Sequence, residues 1–120
     1  MSIKPEFAFK IFEGTKKFEF RKSIYKNQDI TKVFVYASSP VQKVIGEFRV
    51  KQIHKDTPKR IWSHTKEKSG ITKEFFNSYF EGRDKAYAIE VSSTRKYRNP
   101  KCLKRDFNVE FAPQSFQYVE

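Results

Sequence analysis

Apolar and polar positions change period several times along this chain. Phe7, Ala8, Ile11 and Phe12 recur as one side of a helix, which predicts a helix from Pro5 to about Glu13. Pro5 suits the first turn, where its missing N–H would have had no partner, and Gly14 supplies the stop. Ser2-Ile3-Lys4 just ahead reads as a first strand. After Gly14 the period changes: as a strand, Lys17 to Arg21 sets Glu19 and Arg21 on one face and Phe18 and Phe20 on the other. Lys16 then falls in the helix-to-strand turn. Two aromatics anchor such a strand while a lysine, a glutamate and an arginine point into an opening. An ordinary solvated strand face is the competing reading of the same charges.

Lys32 to Ala37 and Val44 to Ile53 also read as strands, separated by a turn at Ser38-Ser39-Pro40. Thr57 caps and Pro58 begins a short helix through Trp62, and Thr72 opens another before Gly82. The second carries Phe75, Phe76, Tyr79 and Phe80 along one side, a stripe that reads as core, as does Trp62. Lys85 to Val91 returns to strand character. In the tail, Phe107, Val109 and Phe111 alternate, Pro113 interrupts, and Ser115 to Val119 alternates again. The expectation is one α+β domain over residues 1–120, a small mixed barrel of about six strands with about three short helices.

Composition and local spacing sharpen this picture at four points. Thirteen Phe, six Tyr and one Trp make the core largely aromatic. The single cysteine, Cys102, allows no internal disulfide and no cysteine-based zinc site, so a reducing cytoplasm is the expected compartment. His54 and His64 have no Asp or Cys at ligand spacing, so they read as packing or surface histidines, with no metal and no cofactor predicted. No apolar run approaches a membrane span, and a membrane is not an expected partner.

Charge changes the picture most. Against 14 acidic residues stand 25 Lys and Arg, a formal +11, which points to a polyanion. From Thr94 to Arg105 the chain holds Arg95, Lys96, Arg98, Lys101, Lys104 and Arg105 with no acid, and Tyr97 among them. Such a segment grips phosphates by charge, and an aromatic inside it can stack a base for ~1–3 kcal/mol. A merely solvated basic loop is the alternative. The same cations are expected to lower the pKa of Cys102.

Gly14-x-Lys16-x-x-Glu19-x-Arg21 matches a G-x-K-x-x-E-x-R signature, and through it the chain resembles the ASCH domain family, a branch of the PUA-like superfold. Further landmarks extend the resemblance over almost the whole length: Ser2-Ile3-Lys4-Pro5, Tyr36-Ala37-Ser38-Ser39-Pro40, Gly46-Glu47-Phe48, Tyr87-Ala88-Ile89 and Pro113-Gln114-Ser115-Phe116. The resemblance implies a PUA-like mixed β pseudo-barrel with a cleft lined by Lys16, Glu19 and Arg21 and bordered by Lys4, Ser38, Ser39, Gln114 and Ser115. It implies RNA, or a modified nucleotide within it, as partner, and a regulatory role in translation or transcription. One enzymatic branch removes an acyl group from N4-acetylcytidine with a lysine, a threonine and a glutamate, and other members resemble ribonucleases. Lys16 matches that lysine, Glu19 stands where the threonine would be, and Glu74 is an unaligned candidate for the glutamate. A lysine beside Glu19 is expected to form an ion pair, which keeps the ammonium charged and weakens it as a base. The sequence therefore favours a monomeric RNA binder over an RNA-directed hydrolase.

Overall fold

The computed structural model describes residues 1–27 and 29–109. Its elements are β1 (Ser2–Ile3), α1 (Pro5–Glu13), β2 (Phe18–Arg21), β3 (Lys32–Ala37), β4 (Lys43–Asp56), α2 (Pro58–Thr65), α3 (Lys73–Tyr79), β5 (Ala86–Lys101) and α4 (Leu103–Phe107), with a 3-10 turn at Lys66–Lys68. The helix boundaries follow local chemistry. Pro5 occupies the first turn of α1, and Gly14 ends it at φ 89°, a left-handed conformation that costs glycine nothing. The hydroxyls of Thr57 and Thr72 accept from the N–H groups of Arg60 and Phe75, at 3.4 and 3.1 Å, and so cap α2 and α3.

The five strands form one sheet in the order β1-β3-β4-β5-β2, with β1 parallel to β3 and the other pairs antiparallel. β4 and β5 run well past the segments that the alternation predicts. Their ladder extends from Val44 opposite Lys101 to Asp56 opposite Ala86, and its register shifts near Val44, Arg49 and Val50 let the long ribbon bend. The basic stretch is therefore strand and then helix, not loop. The curl brings the edge strands together: a guanidinium nitrogen (Nη2) of Arg21 in β2 donates to the Ser2 carbonyl of β1 at 2.7 Å. Among the described residues no backbone ladder joins these edges, so the expected barrel is an open, curled sheet bridged by a side chain. Phe107, expected in a strand, closes α4, because Asn108 at φ 55° ends the helix there. The final expected strand lies outside the described residues.

Two apolar clusters fix the layers. Ala8 and Ile11 of α1 pack with Val33, Val35, Ile45, Phe48 and Ile89, and Phe12 lies so close to Gly46 that a Cβ there would meet its ring at 2.5 Å. Phe18 and Phe20 of β2 join Ile61, Phe76, Phe80, Ala86 and Ala88 beneath α2 and α3. Fully burying a phenylalanine contributes ~1.5–3 kcal/mol, so this second cluster anchors β2 firmly. Its two polar side chains, Glu19 and Arg21, are left facing the other way.

Candidate nucleic-acid cleft

After Gly14 the chain doubles back, and two backbone hydrogen bonds pin the turn: Lys16 N–H to Lys10 carbonyl at 3.1 Å, and Lys17 N–H to Lys68 carbonyl at 2.8 Å. Lys16 is thereby turned inward and is only 2% exposed. A loop far along the chain closes over it. Gly70 has φ +68°, and a Cβ on it would sit 2.5 Å from Lys16 Cβ, so only glycine allows this approach. The Lys16 ammonium donates to the Ser69 carbonyl at 2.7 Å and lies 4.6 Å from the centre of the Phe20 ring. Burial pushes its pKa down to about 8; Glu19 opposes the shift, and Lys10 and Arg21 add to it. The expected Lys16–Glu19 ion pair is thus replaced by a carbonyl contact, and desolvation governs the amine.

Glu19 pairs instead with Arg21, Oε2 to Nη2 at 3.0 Å, with both side chains 9% exposed. This burial rules out the solvated-face reading of the alternating charges. An ion pair withdrawn from water is held in place by its own desolvation penalty, since neither partner can leave without exposing the other to an apolar surround. Here Arg21 also ties β2 to β1 through Ser2.

These three side chains line a cleft of about 250 Å³ together with Ser2, Ile3, Lys4, Phe7, Phe20, Ile71, Phe75 and Tyr79. Phe75 and Tyr79, one turn apart on α3, lie nearly parallel, 11° between ring planes and 6.5 Å between centres. The Lys4 ammonium is 5.4 Å from the Phe75 ring and that of Lys22 is 4.8 Å from the Tyr79 ring, so cations flank an aromatic mouth. Burial pushes the Tyr79 hydroxyl up, with Arg21 opposing. Periodicity alone assigns the whole α3 stripe to the core. Only Phe76 and Phe80 are buried there, while Phe75 is 36% exposed. The missed signal is that the stripe is two residues wide, so one edge packs and the other borders the cleft.

Of the other expected site residues, Lys4 stands at the mouth. Ser38 and Ser39 do not line the cleft; the Ser38 N–H donates to the Ile3 carbonyl at 3.0 Å and its carbonyl accepts from Val41 N–H at 3.1 Å, the turn-closing role of serine before proline. Gln114 and Ser115 lie outside the described residues. Glu74 is exposed and is not part of the lining. Trp62 is half-buried, its ring 5.0 Å from that of Phe76.

Arg95, Lys96, Arg98, Lys101, Lys104 and Arg105 are all exposed. Tyr97 is not available for stacking: it is buried beside Tyr36 and Val44, and its hydroxyl donates to Glu47 Oε1 at 2.8 Å. Lys96 lies over the Phe9 ring at 5.4 Å, whereas Phe7 lines the cleft. Two positions apart on α1 is about 200° of rotation, so cleft and basic strand flank that helix on opposite sides. The Cys102 thiol is held below its ordinary range, first by the backbone N–H groups of Arg105 and Lys104 and only then by the charges of Lys43 and Arg105. Among the described residues no group of three or more His, Cys, Asp or Glu side chains is placed to hold a metal ion, and no helix is long and apolar enough to cross a membrane.

The fold and this arrangement define a PUA-like α+β domain built around a cleft of buried charges. The family model described as Domain of unknown function (DUF365) matches residues 2–114, and the chain belongs to this family and to the ASCH domains. The crystal structure of ASCH from Zymomonas mobilis superposes with a TM-score of 0.92 at 29% identity, covering all of this chain and 85% of that one. A Zymomonas mobilis protein named ASCH domain-containing ribonuclease is 33% identical over 89 residues, 74% of this chain and 60% of that protein. The Large ribosomal subunit protein uL22 of Ureaplasma parvum is 35% identical over 123 residues, and the chain spans 38% of its length.

Proposed function

We propose that this protein binds single-stranded RNA, taking one nucleotide into the cleft while the exposed cations of β5 and α4 hold the backbone. The observation that carries the reading is the buried Glu19–Arg21 pair on the floor of an aromatic-mouthed cleft, with the buried Lys16 beside it. A base offers π faces to Phe75 and Tyr79, an exocyclic amine to Glu19 and acceptor atoms to Arg21 and Lys16. Lys4 and Lys22 are placed for the phosphate. The relative named a ribonuclease supports RNA as the partner class. The regulatory role in translation or transcription belongs to the same reading, since holding a nucleotide requires no chemistry.

Fluorescence anisotropy with a labelled single-stranded RNA tests this. Affinity falls steeply with salt, Phe75→Ala costs ~1–3 kcal/mol of binding, and Lys66→Ala on the exposed 3-10 turn costs far less. Equal losses from both variants would leave only nonspecific charge.

A second reading rests on the Lys16 pKa, lowered to about 8, which leaves a minor neutral fraction of the amine near physiological pH for an RNA-directed hydrolase, either a nuclease or an N4-acetylcytidine amidohydrolase. Glu19 is engaged by Arg21 and Glu74 is outside the cleft, so the other two members of the amidohydrolase set have no counterpart among the lining residues. Mass spectrometry of N4-acetylcytidine and of RNA after incubation decides it, since either activity requires a product that disappears in Lys16→Met.

A further inference from the structure

The mouth of the cleft holds two cations in matching positions. Lys4 comes directly after β1 and Lys22 directly after β2, the two edge strands that Arg21 joins through the Ser2 carbonyl. Both lysines are exposed, and each rests its ammonium on a different ring of α3: Lys4 on Phe75 at 5.4 Å, Lys22 on Tyr79 at 4.8 Å. The rings are held from behind. Phe75 packs edge-on against Phe7 at 5.0 Å, and the backbone N–H of Lys22 faces the Tyr79 hydroxyl and opposes the rise in pKa that burial gives it. Elsewhere Lys32 and Lys51 are exposed too, but each pairs with a glutamate, at 3.6 and 3.5 Å. Among the described residues Lys4 and Lys22 have no acidic partner. Deeper in, the walls are Ile3, Phe7, Phe20 and Ile71, and the carboxylate of Glu19 repels any phosphate that enters. Phosphates therefore stay at the mouth.

We propose that Lys4 and Lys22 are two phosphate subsites, one for each phosphate that flanks the base in the cleft, so that the cleft selects a nucleotide inside a strand over a free nucleoside or a chain end. This rests on the RNA reading above and names the form of nucleotide that the cleft takes. A nucleotide within a strand carries a phosphodiester on its 5′ oxygen and another on its 3′ oxygen, each with one negative charge. A terminal nucleotide of a strand has one such neighbour, and a nucleoside has none. Lysine is a point charge on a flexible stem, and its contact with an exposed ring is weak, so each ammonium exchanges its ring for a phosphate oxygen at little cost. That same movement uncovers the faces of Phe75 and Tyr79 for the base. Phosphate binding and stacking are thereby coupled: a nucleoside must displace both cations from the rings and offers them nothing in return.

The test is competition against a labelled single-stranded RNA on the full chain, read by anisotropy at constant ionic strength. The competitors are cytidine, its 5′-monophosphate and its 3′,5′-bisphosphate, and the same three forms of adenosine. Affinity is expected to rise roughly 5- to 10-fold with each phosphate in one series or both. Lys4→Ala and Lys22→Ala each remove one of these steps, while the affinity of the nucleoside does not fall. Melting is expected to stay unchanged in both variants, since both positions are exposed and the Lys4 side chain makes no capping hydrogen bond to α1. A nucleoside that competes as well as its bisphosphate overturns the proposal and leaves the RNA reading standing. So does a second phosphate that adds nothing, which would make the cleft a site for chain ends. Variants that weaken nucleoside and bisphosphate equally, or bisphosphates that fail to displace the RNA, overturn it too. A chain that binds no RNA at all overturns the RNA reading first and this proposal with it.

Discussion

The cleft and the basic strand carry their charges in opposite ways. Lys16, Glu19 and Arg21 are 2, 7 and 7% exposed, while the six cations of β5 and α4 all stand in solvent. A buried charge must be satisfied by a fixed partner, and each of the three has one: Ser69 carbonyl for Lys16, and Glu19 and Arg21 for each other. An exposed lysine or arginine keeps its rotamer freedom, and salt screens it over ~8 Å at physiological ionic strength. The difference separates two tasks. Under the proposed function, the strand's task is to attract any polyanion, and the task of the cleft, with donors and an acceptor at set positions, is to tell one base edge from another.

Four changes would break or sharpen that contrast, starting with the largest effect. Arg21→Met leaves Glu19 buried without its cation and the Ser2 carbonyl without its donor, so urea denaturation is expected to show a loss of ~3–5 kcal/mol. A loss below ~1 kcal/mol would put this pair in the class of surface ion pairs and erase the contrast. Gly70→Ala comes next: the left-handed backbone costs ~1–3 kcal/mol, and its methyl group must also push Lys16 aside. Protein melting together with a shifted Lys16 titration would register both effects.

The third change concerns pH. The folded Lys16 has a pKa of about 8 against an ordinary 10.5, so between those values the unfolded chain holds a proton that the folded chain has released. Stability from this group therefore rises with pH across that window, and its burial cost is fully present below it. Lys16→Met is expected to flatten the rise in paired urea titrations at the two ends of the window; an unchanged slope would mean that Lys16 is not desolvated. The smallest effect on stability belongs to the strand. Arg98→Glu with Lys101→Glu is expected to shift stability by no more than ~0.5 kcal/mol, while the salt slope of RNA binding falls by ~0.7 for each phosphate that the protein no longer neutralises.

Much of the scaffold was legible because it obeys local rules. The Pro5–Glu13 helix, its Gly14 stop, the Lys32–Ala37 strand and both threonine caps follow from spacing and end signals. The ends of β4 and β5 were not, because Arg95 to Lys101 has the composition of a loop and becomes strand only through its ladder with β4. Tyr97 shows the cost: among six cations it looks like a base-stacking residue, yet the sheet turns it inward onto Glu47. The burial of Lys16 was equally hidden, since the carbonyl that receives it lies 53 residues away in a segment without periodic signal. His54 and His64 bring their rings to 4.8 Å in the same way, because α2 folds back over the sheet.

The most direct test of base recognition in the cleft is an NMR titration of the labelled protein with a short single-stranded RNA. The prediction is saturable shifts at the backbone amides of Lys16, Glu19, Phe75 and Tyr79, together with a displaced Lys16 side-chain titration. Shifts confined to Arg95 through Arg105, with the cleft resonances unmoved at saturation, would contradict it.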